Sequence, residues 1–241
     1  MRVLRALTAG LVTLAILGSA EVSQADSPGA TTSVPSAATA QRAHVRSHVV
    51  IHPLHHQKKY GARLRIAGQV RYARHGSTYA AAGVKVKLSR RANGSSGWRH
   101  IASDRTSHAT RPTFAFRLRA LGNAHYRVRF AGNRRLGSSA ATTRILVHRR
   151  VPSRIIRVSD THLRFMGHVR PAYRHGHVVL QKRDCRGCSW RNLRTGTTGA
   201  RSHFRFPVSA PAVGSWYFRV RVPGSARFEV SRSPTFRTYQ P

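Results

Sequence analysis

The sequence predicts an all-β protein built from two similar modules that follow one another along the chain. Short runs of alternating apolar and polar residues, separated by Gly, Ser, Asn or Pro, fill the chain after residue 57. No helical stripe interrupts these runs, and the same landmarks occur twice at separations of 90 to 92 residues. Six or seven strands in about 90 residues indicate a β-sandwich or a small barrel for each module.

The charge balance excludes several classes of function. The 241 residues include 43 Lys and Arg but only 6 Asp and Glu, and the formal net charge is +37. No two carboxylates share a motif, which argues against paired-acid catalysis, and the first module offers only Asp104 as the buried acid that a Ser-His-acid triad needs. No nucleophile elbow, phosphate loop or metalloprotease motif occurs. We therefore expect a protein without catalytic residues, cofactor or bound metal.

The first 25 residues have the pattern of a secretory signal peptide. Arg2 and Arg5 precede an uncharged apolar run over 6–17, and Ser23-Gln24-Ala25 supplies small residues before a cleavage site after Ala25. The alternative is a retained membrane helix, but this run is shorter than the ~20 residues that span a bilayer. We expect a secreted protein without a transmembrane anchor, released or held non-covalently at the cell envelope.

Residues 26–59 are expected to form a disordered leader. Its first part is rich in Ser, Thr, Ala and Pro, and its second part carries the histidines His44, His48, His52, His55 and His56. Spacing of four would align three of them on a helix as metal ligands. However, β-branched residues precede Pro53, which disfavours that helix. A solvated basic linker is the preferred interpretation, and metal binding is the alternative.

The internal repeat defines two modules, over 60–149 and 150–241. Matching positions include Leu88 and Leu180, Trp98 and Trp190, Phe114 and Phe204, Phe116 and Phe206, Arg127 and Arg219, and Arg129 and Arg221. At the front of each module, Gly68 matches Gly167, and the first module has extra residues in a loop from His75 to Gly83.

Alternation assigns the two faces of the strands in the first module. The residues expected to point inward are Val84, Val86, Leu88, Phe114, Phe116, Leu118, Tyr126, Val128 and Phe130. The residues expected to point to water are Lys85, Lys87, Arg117, Arg119, Arg127 and Arg129. Aromatic residues thus fall on the inward positions and do not interleave with the arginines.

The repeated landmarks resemble the tandem immunoglobulin-like repeats of secreted and surface proteins of actinobacteria. The resemblance rests on the strand glycine (Gly68, Gly167), a Trp that opens a middle strand (Trp98, Trp190) and an aromatic-x-aromatic strand. It implies two tandem immunoglobulin-like β-sandwich domains. Such modules serve as spacers, adhesion units and wall or carbohydrate binders, so the resemblance leaves the function open.

Cys185 and Cys188 lie close together in the loop between Leu180 and Trp190. Secretion favours a disulfide that shapes this loop. A redox-active pair and a metal site with His175 or His177 are the alternatives, but both flanks read as strands rather than as an activating helix N-terminus.

The unbalanced charge indicates binding of a polyanion. In an immunoglobulin-type order, the strands that carry Lys85 and Lys87, Arg127 and Arg129, and Arg144 are neighbours in one sheet. The candidate site comprises Lys85, Lys87, Arg117, Arg119, Arg127, Arg129, Arg144, Arg219 and Arg221. The second module has Val179 in place of a lysine, so we expect its face to bind more weakly. An anionic cell-wall or surface polymer is the expected partner, and non-specific nucleic acid is a second class. The alternative function is a structural spacer or adhesin with a protein partner.

Overall fold

The computed structural model describes residues 44–241, and this part of the chain contains strands but no helix. It therefore includes no helix of the length and apolar character needed to cross a membrane. The predicted signal peptide and the first part of the predicted leader lie outside the described residues. The described residues form two β-sandwiches, one on each side of a short connection around Arg149.

The first sandwich contains nine strands. They are β1 Ser47–Ile51, β2 Gln57–Lys59, β3 Arg63–Arg74, β4 Ser77–Ala80, β5 Lys85–Ala92, β6 Arg99–Arg105, β7 Phe114–Arg119, β8 Ala124–Phe130 and β9 Ser139–His148. One sheet pairs β3 with β1, β4 and β7, and the other has the order β2-β9-β8-β5-β6. Six of these strands, β3 and β5 to β9, cover the alternating runs of the sequence after residue 60. The predicted extra loop from His75 to Gly83 instead contains β4, which forms a hairpin with the end of β3.

The second sandwich contains eight strands. They are β10 Ser153–Arg157, β11 His162–His168, β12 His177–Arg183, β13 Arg191–Thr197, β14 His203–Ser209, β15 Gly214–Val222, β16 Ser231–Arg232 and β17 Phe236–Gln240. One sheet has the order β10-β11-β14. The other has the order β13-β12-β15, and both β16 and β17 pair with β15.

Both sandwiches have the strand arrangement of the immunoglobulin fold. One sheet consists of β1, β3 and β7 with the added strand β4 in the first sandwich, and of β10, β11 and β14 in the second. The remaining strands of each sandwich make the other sheet. In the first sandwich, β2 also runs parallel to β9, so the chain crosses between sheets at its beginning. The predicted all-β sandwich class is confirmed, and the small-barrel alternative is excluded because each module has two separate sheets.

Each sandwich has its own hydrophobic core between the sheets. The inward positions predicted from alternation are confirmed in the first module, where Phe114, Tyr126 and Val128 are at most 2% exposed and Leu118 is partly buried against them. Phe165, Leu180 and Phe218 are equally buried in the second core. Alternation thus sends the intervening basic residues to the outer sides of the sheets.

The predicted leader is wrong for residues 47–59, which belong to the first sandwich. Val49 is buried in the core, and β1 pairs with the second half of β3 from Ser47 opposite Tyr72 to Ile51 opposite Gly68. The run of Val49, Val50 and Ile51 is too short to show a clear period by itself. Its burial depends on β3, which supplies both the backbone partners and the apolar neighbours.

The glycine shared by the two modules allows a close approach of two strands. A Cβ atom at Gly68 would collide with the carbonyl oxygen of Val50 and the ring of Phe114. A Cβ atom at Gly167 would collide in the same way with Pro152 and Phe204. Glycine is therefore required here by space rather than by backbone torsion.

A loop of the second sandwich docks into the first. Phe228 is 2% exposed because it packs in the first module's core, with its ring 6.1 Å from that of Tyr60. The Arg149 guanidinium lies 4.2 Å from the centroid of Phe228 and 4.4 Å from that of Tyr173. Burial is the main cause that lowers the pKa of Arg149 from its usual value. The two modules are thus joined by apolar packing as well as by the chain.

Candidate functional site

Basic residues lie opposite one another on the outer side of the β2-β9-β8-β5-β6 sheet, here called the front face of the first module. Lys87 on β5 is directly opposite Arg129 on β8, and Lys85 is directly opposite Arg105 on β6. All four side chains are exposed. Directly opposed residues have Cβ atoms about 4.5–5.5 Å apart, so these pairs bring like charges close together.

Further cations extend the front face along the same strands. Arg127 lies between Ser89 on β5 and Thr142 on β9. Arg144 on β9 is opposite His125 on β8, and His125 is opposite Arg91 on β5. The strands that carry Lys85, Lys87, Arg127, Arg129 and Arg144 are therefore neighbours in one sheet, as the sequence predicts.

The carboxylates of the described residues form no ion pair with the predicted site cations. Asp104 accepts hydrogen bonds from the backbone N–H groups of Arg105 and Ala115, at 2.8 and 2.9 Å. Glu229 accepts one from the Asn123 side chain. The ion pairs found within 44–241 join Arg157 to Asp160, and Lys182 and Arg191 to Asp184. None of them involves a predicted site cation.

An indole ring holds two of the front-face arginines. The guanidinium carbons of Arg127 and Arg91 lie 4.4 and 5.0 Å from the centroid of Trp98, and all three residues are only half exposed. Cation–π contact favours this geometry. The expectation that aromatic residues do not interleave with the arginines is therefore wrong at Trp98. Its position just before β6 leaves its side chain outside the alternating pattern.

The second module repeats this arrangement on its own front face, the outer side of the β13-β12-β15 sheet with β16 and β17. Arg219 and Arg183 lie 4.0 and 4.7 Å from the centroid of Trp190. The Arg219 Nε atom also donates a 2.9 Å hydrogen bond to Gln181. Burial, followed by the charges of neighbouring arginines including Arg232, lowers the pKa of Arg219 from its usual value.

The second front face carries fewer opposed cations at its centre. Arg221 lies between Val179 on β12 and Arg232 on β16. Val179 occupies the place that Lys87 has in the first module, as the repeat predicts. The front-face arginines that the sequence reasoning missed are Arg91, Arg105, Arg183, Arg232 and Arg237. Arg91 and Arg183 match at the repeat separation, which could have identified them.

Two predicted site residues lie on the opposite side of the first module. Arg117 and Arg119 are exposed on β7, in the sheet that β7 forms with β3. They face away from the front face, so the nine predicted cations do not make one surface. On the neighbouring strand β3, Arg65 is directly opposite Arg117, and Arg63 is directly opposite Arg119.

The predicted disulfide is present. Cys185 is bonded to Cys188 in the loop between β12 and β13, with Cα atoms 5.1 Å apart. The bond shapes the end of a strand pair next to Trp190, as expected for a structural disulfide. Both cysteines are therefore unavailable as free thiols.

The histidine-rich stretch does not form a helix; it includes β1 and the segment that leads to β2. His48 lies on β1 and is exposed, and His56 interacts through Nδ1 with the carbonyl oxygen of Arg144 at 2.9 Å. Within residues 44–241, no three His, Cys, Asp or Glu side chains are grouped as metal ligands.

Comparison with known proteins shows weak structural similarity. Neither a protein-family model nor a curated protein matches the sequence. A chain of a cytokine receptor complex is 12% identical with a TM-score of 0.36, over 79% of this chain and 95% of that one. A marsupial T cell receptor is 10% identical with a TM-score of 0.31, over 78% of this chain and 72% of that one. The strand order and pairing therefore carry the conclusion that the described chain consists of immunoglobulin-like β-sandwiches.

Proposed function

We propose that the chain is a secreted, non-catalytic protein of the bacterial tandem immunoglobulin-like type that binds anionic envelope polymers through its front faces. The observation that supports this most is the opposition of Lys87 and Arg129, neither of which forms an ion pair within residues 44–241. A sheet selected only for stability would place opposite charges at such positions. Bound polyanion supplies the missing negative charge.

The shape of the front face favours a polymer over a small anion. Its cations lie on neighbouring strands, about 4.8 Å apart between strands and about 7 Å apart along a strand. The opposed pairs at Lys85 and Lys87 are exposed and lie on an open sheet surface. Repeated negative charges can meet several of these cations at once, and each contact releases counterions.

Trp98, Arg91 and Arg127, here called the Trp98 cluster, hold two cations of this face in fixed positions before an anion binds. Because the indole restrains Arg127 and Arg91, less side-chain entropy is lost when an anion reaches them. The exposed residues Lys87 and Arg129 add two cations that a polyanion can reach directly. The second module has the same cluster at Trp190 but lacks the lysine partner at Val179, so it contributes less.

Salt-dependent binding to immobilised inorganic polyphosphate tests the proposal. Affinity should fall log-linearly with salt, and Lys85→Ser, Lys87→Ser and Arg129→Ser together should reduce the slope by about three. The matched control replaces three exposed arginines in loops outside the front-face strands, Arg111, Arg134 and Arg135, with serine. Equal losses in both variants would show that net charge alone drives binding and would contradict the proposal.

A second candidate is a spacer or adhesin that binds another protein. It is favoured by exposed apolar residues near one end of the second module, where Val158 is 55% and Val213 is 77% exposed. The loops that carry them are joined by a hydrogen bond from Ala210 N to the carbonyl oxygen of Thr161. Apolar association would persist at high salt, whereas polymer binding would weaken.

A further inference from the structure

An open groove lies on the first module's back sheet, formed by β1, β3, β4 and β7. Its volume is about 910 Å³, and it lies between the outer side of β3 and β7 and the segment from His52 to Lys58. This segment is part of the stretch that carries the chain from β1 to β2. One wall of the groove is therefore the sheet, and the other is the segment from His52 to Lys58, here called the crossover.

Four arginines form two opposed pairs along the sheet wall. Arg65 is directly opposite Arg117, and Arg63 is directly opposite Arg119. All four are exposed. The Arg119 Nη1 atom donates a 3.1 Å hydrogen bond to the carbonyl oxygen of Gly61, which leaves its other N–H groups available.

The groove contains positive charge without a compensating acid. Lys58 adds a cation from the crossover, and none of the residues that line the groove is Asp or Glu. No ion pair of the described residues includes any of these cations. Like-charged pairs on adjacent strands destabilise a sheet unless something else neutralises them.

The crossover gives the groove an apolar part as well. Pro53 and Leu54 line the groove from this segment. Leu54 also packs against the core, so its position is held by the fold. A ligand with both anionic groups and a carbon skeleton would contact both kinds of wall.

The second module lacks the opposed arginine pairs at the equivalent positions. Where the first module has Arg117 opposite Arg65, the second has Pro207 opposite Arg164. Where the first has Arg119 opposite Arg63, the second has Ser209 opposite His162. The opposed arginine pairs are therefore a property of the first module rather than of the repeat.

We propose that this groove binds a short stretch of a polyol-phosphate chain, with one phosphate at each arginine pair and the carbon skeleton against Pro53 and Leu54. Successive pairs lie about 7 Å apart along the strands. Guanidinium groups present paired donors that match phosphate oxygens. This site goes beyond the proposed function because it uses neither the front face nor its cations.

Calorimetric titration of the chain over 26–241 with a glycerol-phosphate oligomer of three phosphates tests the site. Arg65→Ser with Arg117→Ser should weaken binding about tenfold or more, which corresponds to about 1.4 kcal/mol. Arg111→Ser with Arg134→Ser removes the same charge from exposed loops that do not line the groove and should change this affinity less than about twofold. Circular dichroism spectra check that each variant keeps its strand content.

Two comparison ligands test the assigned chemistry. Inorganic triphosphate has the charge without the carbon skeleton, and a galacturonate oligomer has carboxylates instead of phosphates. Both should bind more weakly than the glycerol-phosphate oligomer. Equal affinity for either, or equal losses in the two double variants, would overturn the site. Loss of polyphosphate binding only in the front-face variant would still leave the proposed function intact.

Discussion

Lys87 and Arg129 lie directly opposite each other on β5 and β8, and both side chains project from the front face of the first module. The same sheet buries Leu88 and Val128 on its inner side, so this register cannot slip without exposing the core. The fold therefore holds two positive charges together at a position where the described residues provide no carboxylate partner.

Replacing Lys87 with glutamate should stabilise the free protein and weaken polymer binding. The change turns a repulsive cross-strand pair into an attractive one, worth about 0.2–1 kcal/mol in low salt. Urea unfolding measures the stability, and retention on polyphosphate measures binding. If Lys87→Glu improves both, the front face is not the polymer surface.

The converse change is available in the second module. Val179 lies opposite Arg221, so Val179→Lys creates the pair that the first module has naturally. We expect lower stability by a few tenths of a kcal/mol and tighter polymer binding in low salt. Val179→Thr is the uncharged control, and unchanged binding by the lysine variant would contradict the role of opposed cations.

Removing the Trp98 ring should destabilise the first module by about 2 kcal/mol, because two cation–π contacts are lost together. Trp190→Ala should have a similar effect through Arg183 and Arg219. Chemical denaturation measures both. Trp98→Phe retains an aromatic face and should recover part of the loss; a phenylalanine variant as unstable as the alanine variant would argue against a cation–π origin.

Adding a methyl group at Gly68 should destabilise the protein by about 1–3 kcal/mol. The Cβ atom would meet the Val50 carbonyl and the Phe114 ring, neither of which can move without disturbing β1 or the core. Gly97→Ala is the matched control, since nothing lies within 4 Å of a Cβ atom there. Thermal unfolding gives the melting temperature of each variant. Equal melting temperatures would contradict the close approach of Val50 and Phe114 to Gly68.

Truncating Phe228 should uncouple the two sandwiches. Phe228→Ala removes a ring that fills the first module's core and contacts Arg149, at a cost of about 3–5 kcal/mol. We expect calorimetric unfolding to change from one transition to two. Leu136→Ala serves as a control, because Leu136 occupies the equivalent loop position but pairs with Val45. It should lower stability and leave the modules coupled.

Repeat matching and alternation determined much of this structure from sequence alone. They predicted the central strands of the first module, the inward positions of Phe114 and Tyr126, and the shared sheet of Lys87 and Arg129. These features depend on neighbours one or two residues apart along a strand. The disulfide followed from the short separation of Cys185 and Cys188.

Contacts between distant segments set the limits of sequence reasoning. Local patterns place β1 and β2 in the leader, because their partners in β3 and β9 are separated from them in the chain. The stacking of Arg127 on Trp98 and the opposition of Arg65 and Arg117 depend on strand registers that no local pattern specifies.

The sequence by itself determined the strand content, the duplication, the inner and outer residues of the central strands, and the excess of cations without acids. Tertiary structure alone decided which cations face each other, which are restrained by an indole, and that Phe228 enters the other module's core. The physical reason is that alternation assigns a side chain to one face of its own strand. Only the pairing of strands decides which charges share that face.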